Sequence, residues 1–304
     1  MPADLIFIAG PTAVGKSEIA LLIAEKVGGE IISVDSMQVY RGMDIGTAKP
    51  SSADRERVPH HLIDIVDVTE PFDAAQFVRH AQAAVEQIRG RGRTPIFCGG
   101  TGLYFKAFLE GLGDAPPGDL QLRRTLEETP PAELLKELKS RDPKTFDQID
   151  RKNLRRVIRA VEAIRLTGKP FSSQRSKWTK SHQTPGRLVA LSRTNEDLQA
   201  RIAQRVEAMF RRGLVAETEQ LLKRGLARNK VAMQALGYRQ VIEHFEGKRD
   251  LAHTIELVKI RTRQFAKRQR TWFRNQLPMT WTQISPDESL AEVVDAIQTM
   301  SGRA

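Results

Sequence analysis

Cysteine is almost missing from this chain of 304 residues, which has only Cys98. One thiol forms no disulfide framework and cannot supply the sulfur ligands of a zinc finger. Long apolar runs are missing as well, and nothing approaches the ~20 residues that a membrane-spanning helix needs. The first apolar run, Leu5–Ala9, is too short for a signal-peptide core, and no basic residue precedes it. There is no internal repeat and no low-complexity tract. These absences leave a soluble, cytoplasmic protein as the expectation. Hydrophobic residues at 40% suffice for a real core and exclude a disordered chain. Acidic charge is in short supply: 37 Asp and Glu face 48 Lys and Arg, a net +11, and the pI is near 9.9. A surplus of that size points to a polyanionic partner but says nothing of the fold.

The first hundred residues alternate between strand and helix patterns. Leu5–Ala9 reads as a buried parallel strand, and Ser17–Val27 as a helix stopped by Gly28-Gly29. Glu30–Val34 and Arg93–Cys98 read as further strands, with a helix over about Ala74–Arg89 between them. This alternation predicts a doubly wound α/β fold, with ligands at the carboxyl ends of the strands. The pattern changes near Gly111 and Pro116-Pro117-Gly118. Helices then follow at Leu120–Glu128, Pro131–Ser140 and Asn153–Thr167. A strand-like Leu188–Ser192 comes next, and then helices over Glu196–Arg212, Ala216–Arg224, Leu251–Asn275 and Ser289–Met300. The expected organisation is a P-loop NTPase-like parallel sheet core flanked by helices (1–113 and 188–304), interrupted by an all-helical insertion (114–187).

Between the first strand and the first helix lies Gly10-Pro11-Thr12-Ala13-Val14-Gly15-Lys16-Ser17, which fits G-x-x-x-x-G-K-[ST]. Glycines let such a loop curl its N–H groups inward onto phosphate oxygens. Lys16 adds a positive charge, and the Ser17 hydroxyl can hold Mg²⁺. The helix N-terminus favours an anion there. The loop indicates a diphosphate or a triphosphate without choosing between them. An ATP-hydrolysing site would carry a carboxylate at the end of a second apolar strand. Here Pro95-Ile96-Phe97-Cys98 runs into Gly99-Gly100-Thr101, and the carboxylate at a strand end is Asp35. That favours another displacement at a diphosphate.

Four stretches together resemble the bacterial-type tRNA dimethylallyltransferases, also called tRNA isopentenyltransferases. They are Gly10–Ser17, Asp35-Ser36-Met37-Gln38-Val39-Tyr40-Arg41, Gly99-Gly100-Thr101-Gly102-Leu103-Tyr104 and Lys267-Arg268-Gln269-Arg270-Thr271-Trp272-Phe273-Arg274. Weaker matches lie in Gly46–Pro50, His61–Asp64, Arg156–Glu162 and Gly237–Gln240. The resemblance spans nearly the whole chain. It implies transfer of a dimethylallyl group from its diphosphate to N6 of the adenosine 3′-adjacent to a tRNA anticodon. It also implies that the loop holds the prenyl diphosphate with Mg²⁺. Asp35 would then be the general base, and Thr101 would bond the bridging oxygen of the leaving diphosphate. The family carries an arginine that contacts the diphosphate, and Arg201 or Arg205 fits that place.

The turn Asp35-Ser36-Met37-Gln38 would meet the tRNA, with the Gln38 amide offering both a donor and an acceptor to an adenine edge. Two basic runs fit an RNA partner. Residues 151–180 hold ten Lys or Arg against Glu162, and Lys259–Arg274 holds seven and no acid. Within them Arg155, Arg156, Val157, Ile158, Arg159, Lys267, Arg268, Arg270 and Arg274 are the candidate contacts, with Arg123 at the start of the insertion. Cys98 reads as a buried strand residue, His60 and His61 as structural, and Trp178 and Trp281 as packing or rim residues. The expected protein acts as a monomer on an anticodon stem-loop. Its rivals are a P-loop kinase of small molecules, a prenyltransferase acting on free adenylate, and a non-catalytic RNA-binding protein.

Overall fold

The computed structural model describes residues 5–176 and 186–299. Six strands build one sheet: β1 (Leu5–Ala9), β2 (Gly29–Val34), β3 (His60–His61), β4 (Thr94–Gly99), β5 (Gly186–Ser192) and β6 (Thr280–Gln283). Their order is β3-β2-β4-β1-β5-β6, and every pairing is parallel. In β1, Phe7 lies opposite Phe97 of β4 and Leu188 of β5.

The strand period of two divides the core between the faces of the sheet. Phe7, Ile32, Val34 and Phe97 join one cluster with Phe77, Phe105, Tyr238 and Phe273. Ile6, Ile8, Ile31 and Ile96 join the other with Ile19, Ile23, Ile202 and Val206. The Phe7 and Phe97 rings stack with centroids 4.8 Å apart. Helices cover both faces, so the central strands are buried throughout and read as unbroken apolar runs.

Helix starts follow local capping chemistry. Asp73 and Gln76 form a reciprocal capping box before the helix Ala74–Gly90, and Asp250 caps the 26-residue helix Leu251–Gln276. The buried stripe of that long helix is Thr254, Val258, Thr262, Ala266, Gln269 and Phe273. Its Trp272 packs closely on Gly102, where a Cβ would come 2.1 Å from the indole ring.

Most expected elements lie within two residues of their observed bounds. Helices Gly102–Glu110 and Tyr238–Phe245 and strands β3 and β6 are additions to the sequence reading. The chain forms two compact units, Met1–Leu109 with Lys180–Ala304, and Glu110–Thr179. The expected break at residue 187 falls inside β5. The second unit has its own core of Leu126, Leu134, Leu138, Val157, Val161 and Ile164. Trp178, Lys177 and Lys180 lie outside the described residues.

Candidate active site

The phosphate loop leaves β1 at Gly10, whose φ of 145° favours glycine and where a Cβ would sit 2.7 Å from the Leu191 carbonyl oxygen. Ala13 (φ 65°) and Gly15 (φ 107°) complete the curl into helix Lys16–Val27. Lys16 Nζ donates to the Pro11 carbonyl at 2.7 Å. Burial pulls the Lys16 amine down to about 8; Arg205 pushes the same way, while Asp35 opposes it. Two arginines brace the outside of the loop. Arg193 Nε donates to the Val14 carbonyl and Arg201 Nε to the Ala13 carbonyl, each at 2.9 Å. Arg201 is thereby tied to the loop backbone, and it is Arg205, one turn on, that lines the cavities. Burial lowers the pKa of the Arg205 guanidinium, with Asp35 opposing.

Asp35 follows β2. Its Oδ1 accepts from the backbone N–H groups of Met37 (2.8 Å) and Gln38 (3.3 Å), an Asx turn that fixes the carboxylate. Thr101 follows β4, and its Oγ1 accepts from the Ser36 N–H at 3.1 Å, which leaves the hydroxyl hydrogen free to donate elsewhere. The Gln38 amide departs from expectation. Its Oε1 accepts from Ser33 Oγ, and its Nε2 donates to the carbonyls of Thr47 and Ala48. With both ends of the amide engaged inside the protein, Gln38 shapes the turn instead of presenting a free edge to adenine.

Two cavities meet at this turn. The outer one measures about 630 Å³ and the inner about 90 Å³, and Thr12, Asp35, Thr47, Arg205 and Phe265 line both. Lys16, Ser17, Ala20, Ile31 and Cys98 line the inner cavity. Burial raises the Cys98 thiol to about 11, so it stays protonated, as expected of a strand residue that is no nucleophile. The outer cavity adds Thr101, Arg239, Arg249, Arg261 and Arg268. Glu243 pairs with both Arg239 and Arg249.

Several of these residues have no role in the sequence reading. Glu217 accepts from the N–H groups of Asp44, Ile45 and Gly46 and from the Tyr238 hydroxyl, so it holds the strand of chain that carries Thr47. Gln269 Oε1 accepts from the Thr12 N–H, and its Nε2 donates to the Gly100 carbonyl, each at 2.9 Å. Both residues, or their partners, fall in stretches that carry the resemblance, but no spacing rule marks what they touch.

The basic runs divide between free and engaged cations. Lys267, Arg268 and Arg274 are exposed, with Arg268 over the Phe265 ring and Arg274 over the Trp281 ring. Arg270 donates to Asn195 Oδ1 at 2.8 Å, and Phe273 belongs to the core. In the second unit Arg155 and Arg156 are exposed. Val157 corrects the expectation: it is fully buried in the core of that unit and offers RNA no side chain, while Ile158 is half-buried. Arg123 and Arg159 both donate to Oε2 of the fully buried Glu162, at 2.7 and 2.9 Å. Their first task is to neutralise that carboxylate.

Among the described residues no three His, Cys, Asp or Glu side chains converge as a metal site. His61 bonds Glu30 and His60 bonds the Val58 carbonyl, which fits the structural roles expected of them. The exposed Ser17, on the first turn of its helix, lines the inner cavity and has no side-chain hydrogen bond among the described residues. An oxygen of this kind suits Mg²⁺, which completes its shell with phosphate and water.

A sequence model of the family described as IPP transferase matches residues 38–276. Over 298 residues the chain is 43% identical to tRNA dimethylallyltransferase 2 of Geotalea uraniireducens (strain Rf4), covering 96% of each. The full-length tRNA isopentenylpyrophosphate transferase of Bacillus halodurans is similar in structure, with a TM-score of 0.72 at 37% identity, covering 98% of this chain and 96% of that one. A eukaryotic dimethylallyltransferase solved acting on tRNA gives a TM-score of 0.83 at 28% identity, covering 99% and 81%.

Proposed function

The chain belongs to the IPP transferase family, and on that premise we propose that it moves a dimethylallyl group from dimethylallyl diphosphate to N6 of the adenosine 3′-adjacent to the anticodon in tRNA. The observation that carries this reading is the shared wall: Asp35, Thr12 and Arg205 line both cavities. A diphosphate beside Lys16 and a purine entering through the outer cavity then meet at one carboxylate.

N6 attacks the allylic carbon bonded to the diphosphate. The carbon–oxygen bond breaks, and its electron pair leaves on the bridging oxygen. The nitrogen becomes acidic as its new bond forms, and its proton passes to Asp35, a weak base suited to late transfer. Thr101, whose hydroxyl hydrogen is free, donates to the bridging oxygen. Lys16, Arg205 and the loop amides take up the charge on the departing diphosphate. Mg²⁺, held by Ser17 Oγ, would supply further neutralisation of that charge. The target base must leave its stack to reach Asp35.

The exposed cations Arg155, Arg156, Lys267, Arg268 and Arg274 supply the phosphate contacts that a tRNA requires. No described helix is long and apolar enough to cross a membrane, and the cytoplasm is the compartment we assign.

The test is incubation with dimethylallyl diphosphate, Mg²⁺ and bulk tRNA, followed by mass analysis of the nucleosides. Prenylated adenosine is the expected product. ADP formed from ATP, or prenylation of AMP in preference to an anticodon stem-loop, would replace this reading with a kinase or an adenylate prenyltransferase.

A further inference from the structure

The long helix Leu251–Gln276 buries small or apolar side chains along most of its inner stripe, yet at one place it buries an amide. Gln269 is 7% exposed, and both ends of that amide are engaged. Its oxygen takes the N–H of Thr12, in the phosphate loop after β1. Its nitrogen donates to the carbonyl of Gly100, in the turn after β4. Thr12 and Gly100 stand at the ends of neighbouring strands and have no hydrogen bond to each other among the described residues.

The Thr12 N–H points at a neutral amide oxygen, so the loop approaches the diphosphate with that donor already used. The loop grips the leaving group, and Thr101, next to Gly100, donates to its bridging oxygen. Charge stabilisation of this kind depends on the donors staying where the developing oxyanion will be. Position 100 itself is shaped for the contact: a Cβ there would lie 2.3 Å from Gln269 Nε2.

We infer that Gln269 is a positioning residue, a strut that fixes the separation of the phosphate loop from the Gly100–Thr101 turn and so aligns the two groups that hold the leaving diphosphate. This rests on the prenyl-transfer reading above. The strut shares a helix with the candidate tRNA cations, but its amide is buried and bonds only Thr12 and Gly100 while Lys267, Arg268 and Arg274 are exposed, so its loss should disturb chemistry and leave tRNA affinity intact.

Three variants test it. Gln269→Met keeps the length and removes both hydrogen bonds. Gln269→Glu keeps an acceptor for Thr12 and sets a carboxylate oxygen against the Gly100 carbonyl. Gly100→Ala pushes the amide away from the other side. In folded variants, kcat for prenyl transfer at saturating substrates is expected to fall about 10- to 100-fold. The KM for dimethylallyl diphosphate and the Kd for an anticodon stem-loop should stay within about threefold, and thermal unfolding should remain cooperative.

A kcat within twofold of wild type in a folded variant overturns the proposal. So does a loss confined to KM, or the failure of all three variants to fold, which would make Gln269 a purely structural residue. Wild type failing to prenylate tRNA would instead refute the functional reading, so the two failures are told apart.

Discussion

Oδ1 of Asp35 is committed to its own turn, while Oδ2 has no hydrogen-bond partner among the described residues. Asparagine at this position keeps the acceptor that caps Met37 and Gln38 and abolishes the base. Asp35→Asn is therefore expected to preserve the fold and tRNA binding while single-turnover prenyl transfer falls about 10²- to 10⁴-fold. A rate near wild type would remove the base from the scheme. Asp35 stands out in the sequence as the carboxylate at a strand end and Thr101 as the hydroxyl after Gly99-Gly100, and the resemblance implies the role of each. The role of Gln38 is not legible there. Its neighbours promise an exposed recognition turn, and only the carbonyls of Thr47 and Ala48, brought close by the fold, show where its amide is bound. The choice between Arg201 and Arg205 has the same cause: both lie on one helix face, and only the fold, which ties Arg201 to the Ala13 carbonyl 188 residues away and sets Arg205 on the cavity wall, tells them apart.

Helix Leu154–Thr167 shows how a basic run divides once it has a core to cover. Val157, Ala160, Val161 and Ile164 form its buried stripe, and Arg155 and Arg156 fall outside it. Arg159 sits nearer the stripe and joins Arg123 on Glu162. We expect the double change Arg155→Ala and Arg156→Ala to lower the slope of log K against log salt for tRNA by about 0.7–0.9 for each phosphate deprived of its cation. The unfolding midpoint should not move. Arg123→Ala should instead destabilise the protein by about 1–3 kcal/mol, because Glu162 loses a partner while still buried. Filter binding across a salt series, beside thermal melts, separates the two; a flat salt response would contradict the RNA assignment. Periodicity reveals this helix, with Asn153 counted as its first residue where the structure makes it the cap, yet it misses the nine-residue Gly102–Glu110, which opens on the glycine of a turn and is too short to carry much pattern. Strands of two and four residues, such as β3 and β6, carry too little pattern to be recognised before their neighbours are known.

Across the whole molecule, a parallel sheet sends the ends of β1, β2 and β4 to one edge, so Gly10, Asp35 and Thr101 converge there from positions far apart in the chain. This convergence follows from the alternation of strands and helices, and it is the part of the site that the sequence carries most fully. The opposite end of β2 has a different task. Glu30, 2% exposed, accepts from Arg91 and His61. Burial alone would raise its carboxyl, but the hydrogen bonds and charges of Arg91 and His61 outweigh this and hold it below the ordinary 4.5. A carboxylate depressed in the folded state gives its full stabilisation above the unfolded value and loses it as pH falls through the folded one. Stability should therefore drop as pH is taken below 4.5. Glu30→Gln should flatten that acid limb and cost about 2–3 kcal/mol at pH 7. Urea titrations at a series of pH values check this, and an equally steep limb in the variant would refute it. The packing of Trp272 on Gly102 reaches beyond this one chain. The ring leaves no room for even a methyl group, so Gly102 can gain a side chain only if Trp272 changes as well. In any relative that keeps this arrangement, a side chain at the first site forbids an indole at the second, which makes the pair a marker for sorting sequences by eye.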